Sequence, residues 1–542
     1  MPLFSARNCF PPLFTEVKRW AGLRFLSPYI LIAIFAGCSS PTFEKETTFR
    51  MSVRAEPPAL DWTLATDSIS FNILTNLMEG LTQYNADLEP MPAVAKRWEY
   101  SEDGRVVTFY LRDDVFWTDG QPVTAKDFVY SWKRLLDPAT AAQYAYFLFD
   151  LENAAEFNAG KISDFGKVGV RAVSPYVLEV KLRKPVVYFP GITTFMVTFP
   201  LREDIVKKYG DDWTEPENIV TNGPYTLAEW RHEYKLVLKA NGRHYEGPPP
   251  IATVLVYIVK EPTTALTLYE TGELDIIELP PMAIPHYRGS AEFRSKPQLR
   301  GYYYGFNVTK APFDNPLVRR AFAHAIDRSQ IPVILKGDEI PASSWIPKGM
   351  FGYNPDIGPQ FDIDKARKLL AQAGYPGGKG FPRTQAVFNS ESRNRLIAEF
   401  LQTQWKKNLQ VDIEFESEEW KVFLSRLHLD PPPLFRLGWG ADFPDPDNFM
   451  NLFLSTSGNN HLRWGNPRYD ELVALGPAIR DPKKRQAVYD EAQKILTETD
   501  AAMIPLFIQV QNLLIKPRVQ GLEMNSLELL YLKRLRLEPG ES

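Results

Sequence analysis

Strand-type and helix-type segments alternate along this chain from Met51 to Ile508, and that alternation points to lobes built on mixed sheets flanked by helices. No self-similar period of about 20 to 50 residues runs through it, so the lobes are not stacked repeats. Met51-Ser52-Val53-Arg54 reads as a first strand. The stretch 67–81 carries Ile69, Ile73, Leu74, Leu77 and Met78 on one helical side, with Gly80 near its end. Val106–Leu111 alternates with β-branched residues and predicts a strand, while Ala125–Leu136 predicts a helix opened by Thr124 and Asp127. Further strands are expected at 177–182, at 235–239 ahead of the Asn241-Gly242 turn, at 252–258 and at 274–277, with a helix at 263–269 and further mixed elements to Pro505-Leu506-Phe507-Ile508.

Upstream, Arg7, Lys18, Arg19 and Arg24 precede an uncharged core from Tyr29 to Gly37. The core is too short to span a bilayer, which takes about 20 apolar residues, and Ser27-Pro28 blocks its extension. It ends in Ala36-Gly37-Cys38, which resembles the lipobox of bacterial lipoproteins, with Phe35 where Leu is usual. That resemblance implies removal of residues 1–37 as a signal peptide and acylation of Cys38. A polar tether would then run through 38–50. Only Cys9 and Cys38 occur, so the mature chain has no internal disulfide and relies on core burial, which a chain of this length supplies. The removed piece holds four bases and one acid, taking the formal charge from −4 to −7 and arguing against nucleic-acid binding. With 44% hydrophobic residues and no second apolar run approaching a span, the remainder reads as two or three soluble lobes.

The segment from Ala95-Lys96-Arg97-Trp98 through Asp113-Asp114-Val115-Phe116-Trp117-Thr118-Asp119-Gly120 resembles the signature of the family 5 solute-binding proteins, the oligopeptide and dipeptide receptors of ABC importers. Further landmarks follow at Thr124–Trp132, Asn222-Gly223-Pro224-Tyr225, Tyr303-Tyr304-Gly305-Phe306-Asn307 and Pro312–Ala321, and most of them are expected to carry fold rather than ligand. The resemblance implies an α/β, two-lobed periplasmic-binding-protein (Venus flytrap) fold with an extra inserted domain. Mapped here, lobe I takes 51–68, 204–300 and 511–542, the insert takes 69–203, and lobe II takes 301–510. It also implies a monomeric, lipid-anchored receptor on the periplasmic or cell-surface side of a bacterial membrane. Such a receptor delivers short peptides to permease subunits, without cofactor or chemistry.

Within Arg436-Leu437-Gly438-Trp439-Gly440-Ala441-Asp442, the resemblance puts Asp442 where peptide-binding members hold the ligand's terminal ammonium. A receptor for many sequences must grip what all peptides share. A desolvated ammonium then requires an opposite charge, since leaving it unpaired costs several kcal/mol. Backbone groups are met by adding the peptide as a strand. Gly438 and Trp439 precede the acid, and Trp420, Glu56 and Tyr144 match other ligand-facing positions, while Arg436 and Arg426 match arginines suited to a ligand carboxylate. Gly440 stands where some oligopeptide receptors have Cys, so their disulfide is missing here.

The same fold serves receptors for oligosaccharides, haem and nickel chelates, which keeps these as alternatives. A sugar site has no need of Asp442. Six His and no Cys-x-x-Cys spacing argue against a metal cage, and Asp445-Pro446-Asp447-Asn448 lacks the other ligands of a calcium loop. An exported hydrolase is disfavoured because neither Gly-x-Ser-x-Gly nor His-Glu-x-x-His occurs.

Overall fold

The computed structural model describes residues 47–538, so the leader, Cys38 and most of the tether lie outside the described residues. Two sheets organise them. The larger, of eleven strands, runs in the order Ile413–Glu418, Thr384–Asn389, Leu434–Gly440, Phe293–Phe306, Met503–Ile515, Ile276–Glu278, Thr48–Val53, Thr253–Ile258, Lys235–Ala240 and Tyr225–Arg231, with Ile340–Pro341 against Met503–Ile515. Both parallel and antiparallel pairs occur: Thr48–Val53 runs parallel to Thr253–Ile258, and Phe293–Phe306 antiparallel to Met503–Ile515. The smaller sheet orders Ala95–Tyr100, Val106–Leu111, Val177–Lys181 and Val170–Ser174, all inside the stretch expected as an insert.

The two long strands cross from one half of the large sheet to the other. The expected lobe divisions at 300/301 and 510/511 fall inside them, near a register irregularity between Pro297 and Gly301. The small sheet is not separately cored. Phe109, Leu178 and Val180 share one continuous apolar core with Leu236, Leu238, Val254 and Val256 of the large sheet, whereas Tyr302, Phe322, Leu401 and Trp405 build a different one. Burial of these fully covered side chains, at about 25 cal/mol per Å² of apolar surface, does the work that disulfides do in smaller exported domains.

Local signals resolved as the residues require. Thr124 and Asp127 form a reciprocal capping box on Ala125–Leu136. The first strand begins at Thr48, earlier than the tether expected through 50, because Thr48 to Val53 pair residue for residue with Thr253 to Ile258. The helix expected over 67–81 is Ser68–Leu77, capped by Asp67 Oδ1, which accepts from the amides of Ile69 and Ser70 at 3.0 and 2.9 Å. It stops early because Asn222 clamps the next turn, accepting from Glu79 N and donating to Glu79 O at 3.0 Å each. Gly223 lies so close to the helix end that a Cβ there would come within 2.5 Å of the Leu77 carbonyl carbon. The Asn222-Gly223-Pro224-Tyr225 landmark therefore has a packing job. The strand expected at 274–277 is Ile276–Glu278, shifted because Asp275 is engaged with Arg50 and Arg518.

Candidate functional site

Segments distant in sequence converge on a cavity of about 750 Å³. Its walls come from the first strand and the start of Ser68–Leu77, from Tyr144 and residues 194–196 beside the small sheet, from 438–442, and from the C-terminal stretch 522–530. Strand Leu434–Gly440 brings Gly438 and Trp439 to the wall. Its pairing with Thr384–Asn389 covers only Leu434 and Phe435, so among the described residues one edge of 436–440 has no neighbouring strand. An unpaired edge beside a cavity is an acceptor for an extended chain.

Asp442 occupies the head of this wall. Its Oδ1 accepts from the Tyr144 hydroxyl at 3.4 Å, and its Oδ2 accepts from the Tyr146 hydroxyl at 3.2 Å and from Asn448 Nδ2 at 3.3 Å. All three donors are neutral, and all three bonds are long. Loss of water pushes the carboxyl up to about 6, against the pull of Asn448, Tyr146, Tyr144 and the field of Arg300. Asn448 fixes the geometry, because its Oδ1 also accepts from Trp439 Nε1 at 2.8 Å and from Asp442 N at 3.2 Å.

The run Asp445-Pro446-Asp447-Asn448 anchors the loop. Asp445 caps the short helix Pro446–Met450 and is paired with the buried Arg485 at 2.7 Å. Asp447 accepts from the Tyr188 hydroxyl at 2.7 Å, and burial together with Asp445 and Asp150 pushes its carboxyl up to about 7. Tyr188 also stacks on Phe443 with ring centroids 5.1 Å apart. Asp442 is thus carried on a loop gripped from the small-sheet side.

Of the residues expected at the site, Asp442, Trp439, Gly438 and Tyr144 meet at this cavity. Four others do not line it. Glu56 accepts from Trp230 Nε1 at 2.9 Å, from the Glu233 amide at 3.1 Å and lies 2.6 Å from His232 Nδ1, tying the loop after the first strand to the Tyr225–Arg231 hairpin. Arg426 is paired with Glu416 and Glu418 and donates to Gln385, so its guanidinium is satisfied within its own half. Trp420 opens the helix Trp420–Leu429 and is 43% exposed. Arg436 lies over the Tyr302 ring and donates to Asn389 at 2.9 Å, on the same strand face as Gly438 but beyond the cavity.

Sequence reasoning missed Tyr146, Asn448 and Arg300. Tyr146 sits two residues past Tyr144 and stacks on it at 5.6 Å, a spacing that was visible but not distinctive. Elsewhere, Glu79, His244 and Glu246 bring ligand-type atoms within 4.8 Å of one another. Lys533 donates to both carboxylates at 2.6 Å, so a cation of the protein already stands between them. No helix among the described residues is long and apolar enough to cross a membrane.

The chain is similar to known proteins over most of its length. Residues 89–461 match the model of the bacterial extracellular solute-binding proteins, family 5. The chain is 35% identical over 485 residues to the periplasmic oligopeptide-binding protein OppA of Salmonella typhimurium, covering 86% of this chain and 88% of that one. It is 31% identical to the oligopeptide-binding protein OppA of Bacillus subtilis over 94% of this chain and 97% of that one. In three dimensions it resembles Haemophilus influenzae OppA in complex with RPPGFSPFR, with a TM-score of 0.76 at 31% identity, over 91% of this chain and 99% of that one.

Proposed function

The chain belongs to the bacterial extracellular solute-binding proteins of family 5, and from that premise we propose that it captures short peptides in the cavity around Asp442 and delivers them to an ABC-type importer. One observation carries the reading: a carboxylate on the cavity wall meets only neutral hydrogen-bond donors of the protein. The peptide ammonium supplies the missing cation. Its backbone extends along the open edge of 436–440, and side chains occupy the remaining volume with water filling what they leave. The names of the relatives, and the RPPGFSPFR complex of one of them, support a peptide over a sugar or a chelate.

Binding stabilises a closed form in which both halves touch the ligand, with the two long strands as the hinge. The protein performs no chemistry and works as a monomer. Cys38 carries a lipid that holds it to the outer side of a bacterial membrane, after a leader of residues 1–37 is removed. Cys38→Ser then releases the protein from the membrane fraction.

The test is a thermal-shift panel of tri- to pentapeptides, each paired with its N-acetylated form. A ligand at 100 times its Kd stabilises the fold by about 2.7 kcal/mol. Free peptides shift the transition and acetylated ones do not. Equal shifts remove Asp442 from ammonium binding, and silence to every peptide overturns the peptide reading.

A further inference from the structure

Arg300 is a cavity cation whose one ion pair, to Glu528 at 3.7 Å, is too long for a hydrogen bond. It lies directly across the sheet from Gly440, in the antiparallel pairing of Phe293–Phe306 with Leu434–Gly440. Its guanidinium rests on that glycine: a Cβ at position 440 would fall 2.9 Å from Arg300 Cζ and 3.0 and 3.2 Å from its two terminal nitrogens. Any larger residue there would push the fork away, so Gly440 and Arg300 form one device. Both line the cavity, as does Asp442.

The other arginines of the fold set the contrast. Arg134 forks onto Asp61 at 2.8 and 2.6 Å, and Arg54, the other arginine lining the cavity, is 2.9 Å from Glu278. The Arg300 side chain makes no hydrogen bond among the described residues and is 41% exposed. Its nearest acid, Glu528, stands 3.7 Å away and accepts its hydrogen bond from Gln298 instead. A planar fork that makes one long ion pair and no side-chain hydrogen bond, and that lines a ligand cavity, matches a carboxylate in two-point geometry.

We infer that Arg300 and Gly440 form a carboxylate subsite next to the Asp442 subsite, selecting peptides that carry a carboxylate close to their ammonium. This rests on the peptide reading above. Positions 440 and 442 are two residues apart, at most roughly 7 Å between Cα atoms, so the carboxylate belongs to the ligand's first residues. It is supplied by an acidic side chain near the N-terminus or by the C-terminus of a very short peptide.

Titration calorimetry on the protein decides between these sources. One arm uses C-amidated tetrapeptides with Glu at position 1, 2 or 3, each against its Gln twin. The other uses di- and tripeptides of Ala with free or amidated C-termini. At least one carboxylate-bearing member binds about tenfold or more tighter than its neutral twin, a preference that Arg300→Met erases and Arg300→Glu inverts toward Lys-bearing peptides. If every pair in the wild-type protein agrees within about twofold, the carboxylate subsite is overturned while peptide binding stands. If no peptide of either arm binds, the peptide reading falls and the subsite falls with it. A purely structural Arg300 lowers affinity for both twins equally and leaves their ratio unchanged.

Discussion

Asp275, beneath the first strand, and Asp442, on the cavity wall, are both carboxylates drawn out of water, but Asp275 has two guanidiniums of its own and Asp442 has none in hydrogen-bonding reach. Asp275 receives the main-chain N–H of Arg50 at 2.8 Å, the Arg50 side chain at 3.1 and 3.2 Å and the Arg518 side chain at 2.8 and 2.9 Å. It ties the first strand to the C-terminal segment. Asp442 has two tyrosine hydroxyls and an amide, none closer than 3.2 Å. An acid given its own cations is a staple. An acid held by neutral donors beside a cavity stores an unmet demand for positive charge.

The comparison is broken or sharpened by experiments that move the two acids differently. Asp275→Ala strands two partly buried guanidiniums and should destabilise the fold by about 3–5 kcal/mol in denaturant melts, with peptide affinity intact under conditions where the variant remains folded. Asp442→Asn should do the reverse. Calorimetry should read an affinity loss of about 2–4 kcal/mol, roughly 30- to 1000-fold, with no loss of stability in the unliganded protein.

The pH dependence follows from the same contrast. Because the Asp442 carboxyl titrates at about 6 in the unliganded fold, the ammonium site must shed a proton below that pH. Affinity therefore falls by up to about tenfold per unit as pH drops through 6 toward 5, and Asp442→Asn flattens the profile. For folding the sign is opposite. The raised carboxyl holds a proton that the unfolded chain releases between about pH 4 and 6, so its contribution to stability is present below that window and lost as pH rises through it.

A smaller effect tests positioning. Asn448→Ala frees the Trp439 indole and one side of Asp442, and should weaken peptide binding by about 1 kcal/mol while leaving the acid present. Its signature is a downward slide of affinity without loss of discrimination against acetylated peptides. Smallest of all, Arg426→Ala removes the ion pairs to Glu416 and the partly buried Glu418 within one half and should change stability by about 1 kcal/mol, with no change in peptide affinity. A large affinity loss there would return Arg426 to the ligand.

Much of the architecture was legible because its signals are local. Thr124 and Asp127 sit three residues apart and cap the same turn, and Val106–Leu111 shows its alternation within six residues. Asp442 and Trp439 were legible through the motif around them, and the structure brings both to the cavity with Gly438 and Tyr144. The arginines were not. Nothing along the chain distinguishes Arg426, hydrogen-bonded to Glu416 and Glu418, from Arg300, which lines the cavity with only a long ion pair to Glu528. The partners of Glu56 were equally hidden, since the indole and imidazole that meet it arrive from a hairpin far along the sequence.

The sequence alone determined the mixed α/β class and the capped helices, because each depends on residue type and short-range spacing, while Asp442 was singled out by the resemblance of its motif. Tertiary structure decided which charges are neutralised and which remain free. That choice is made by strand register, which sets Arg300 across from Gly440 and Asp275 between Arg50 and Arg518, and register joins segments whose separation leaves no local trace in the chain.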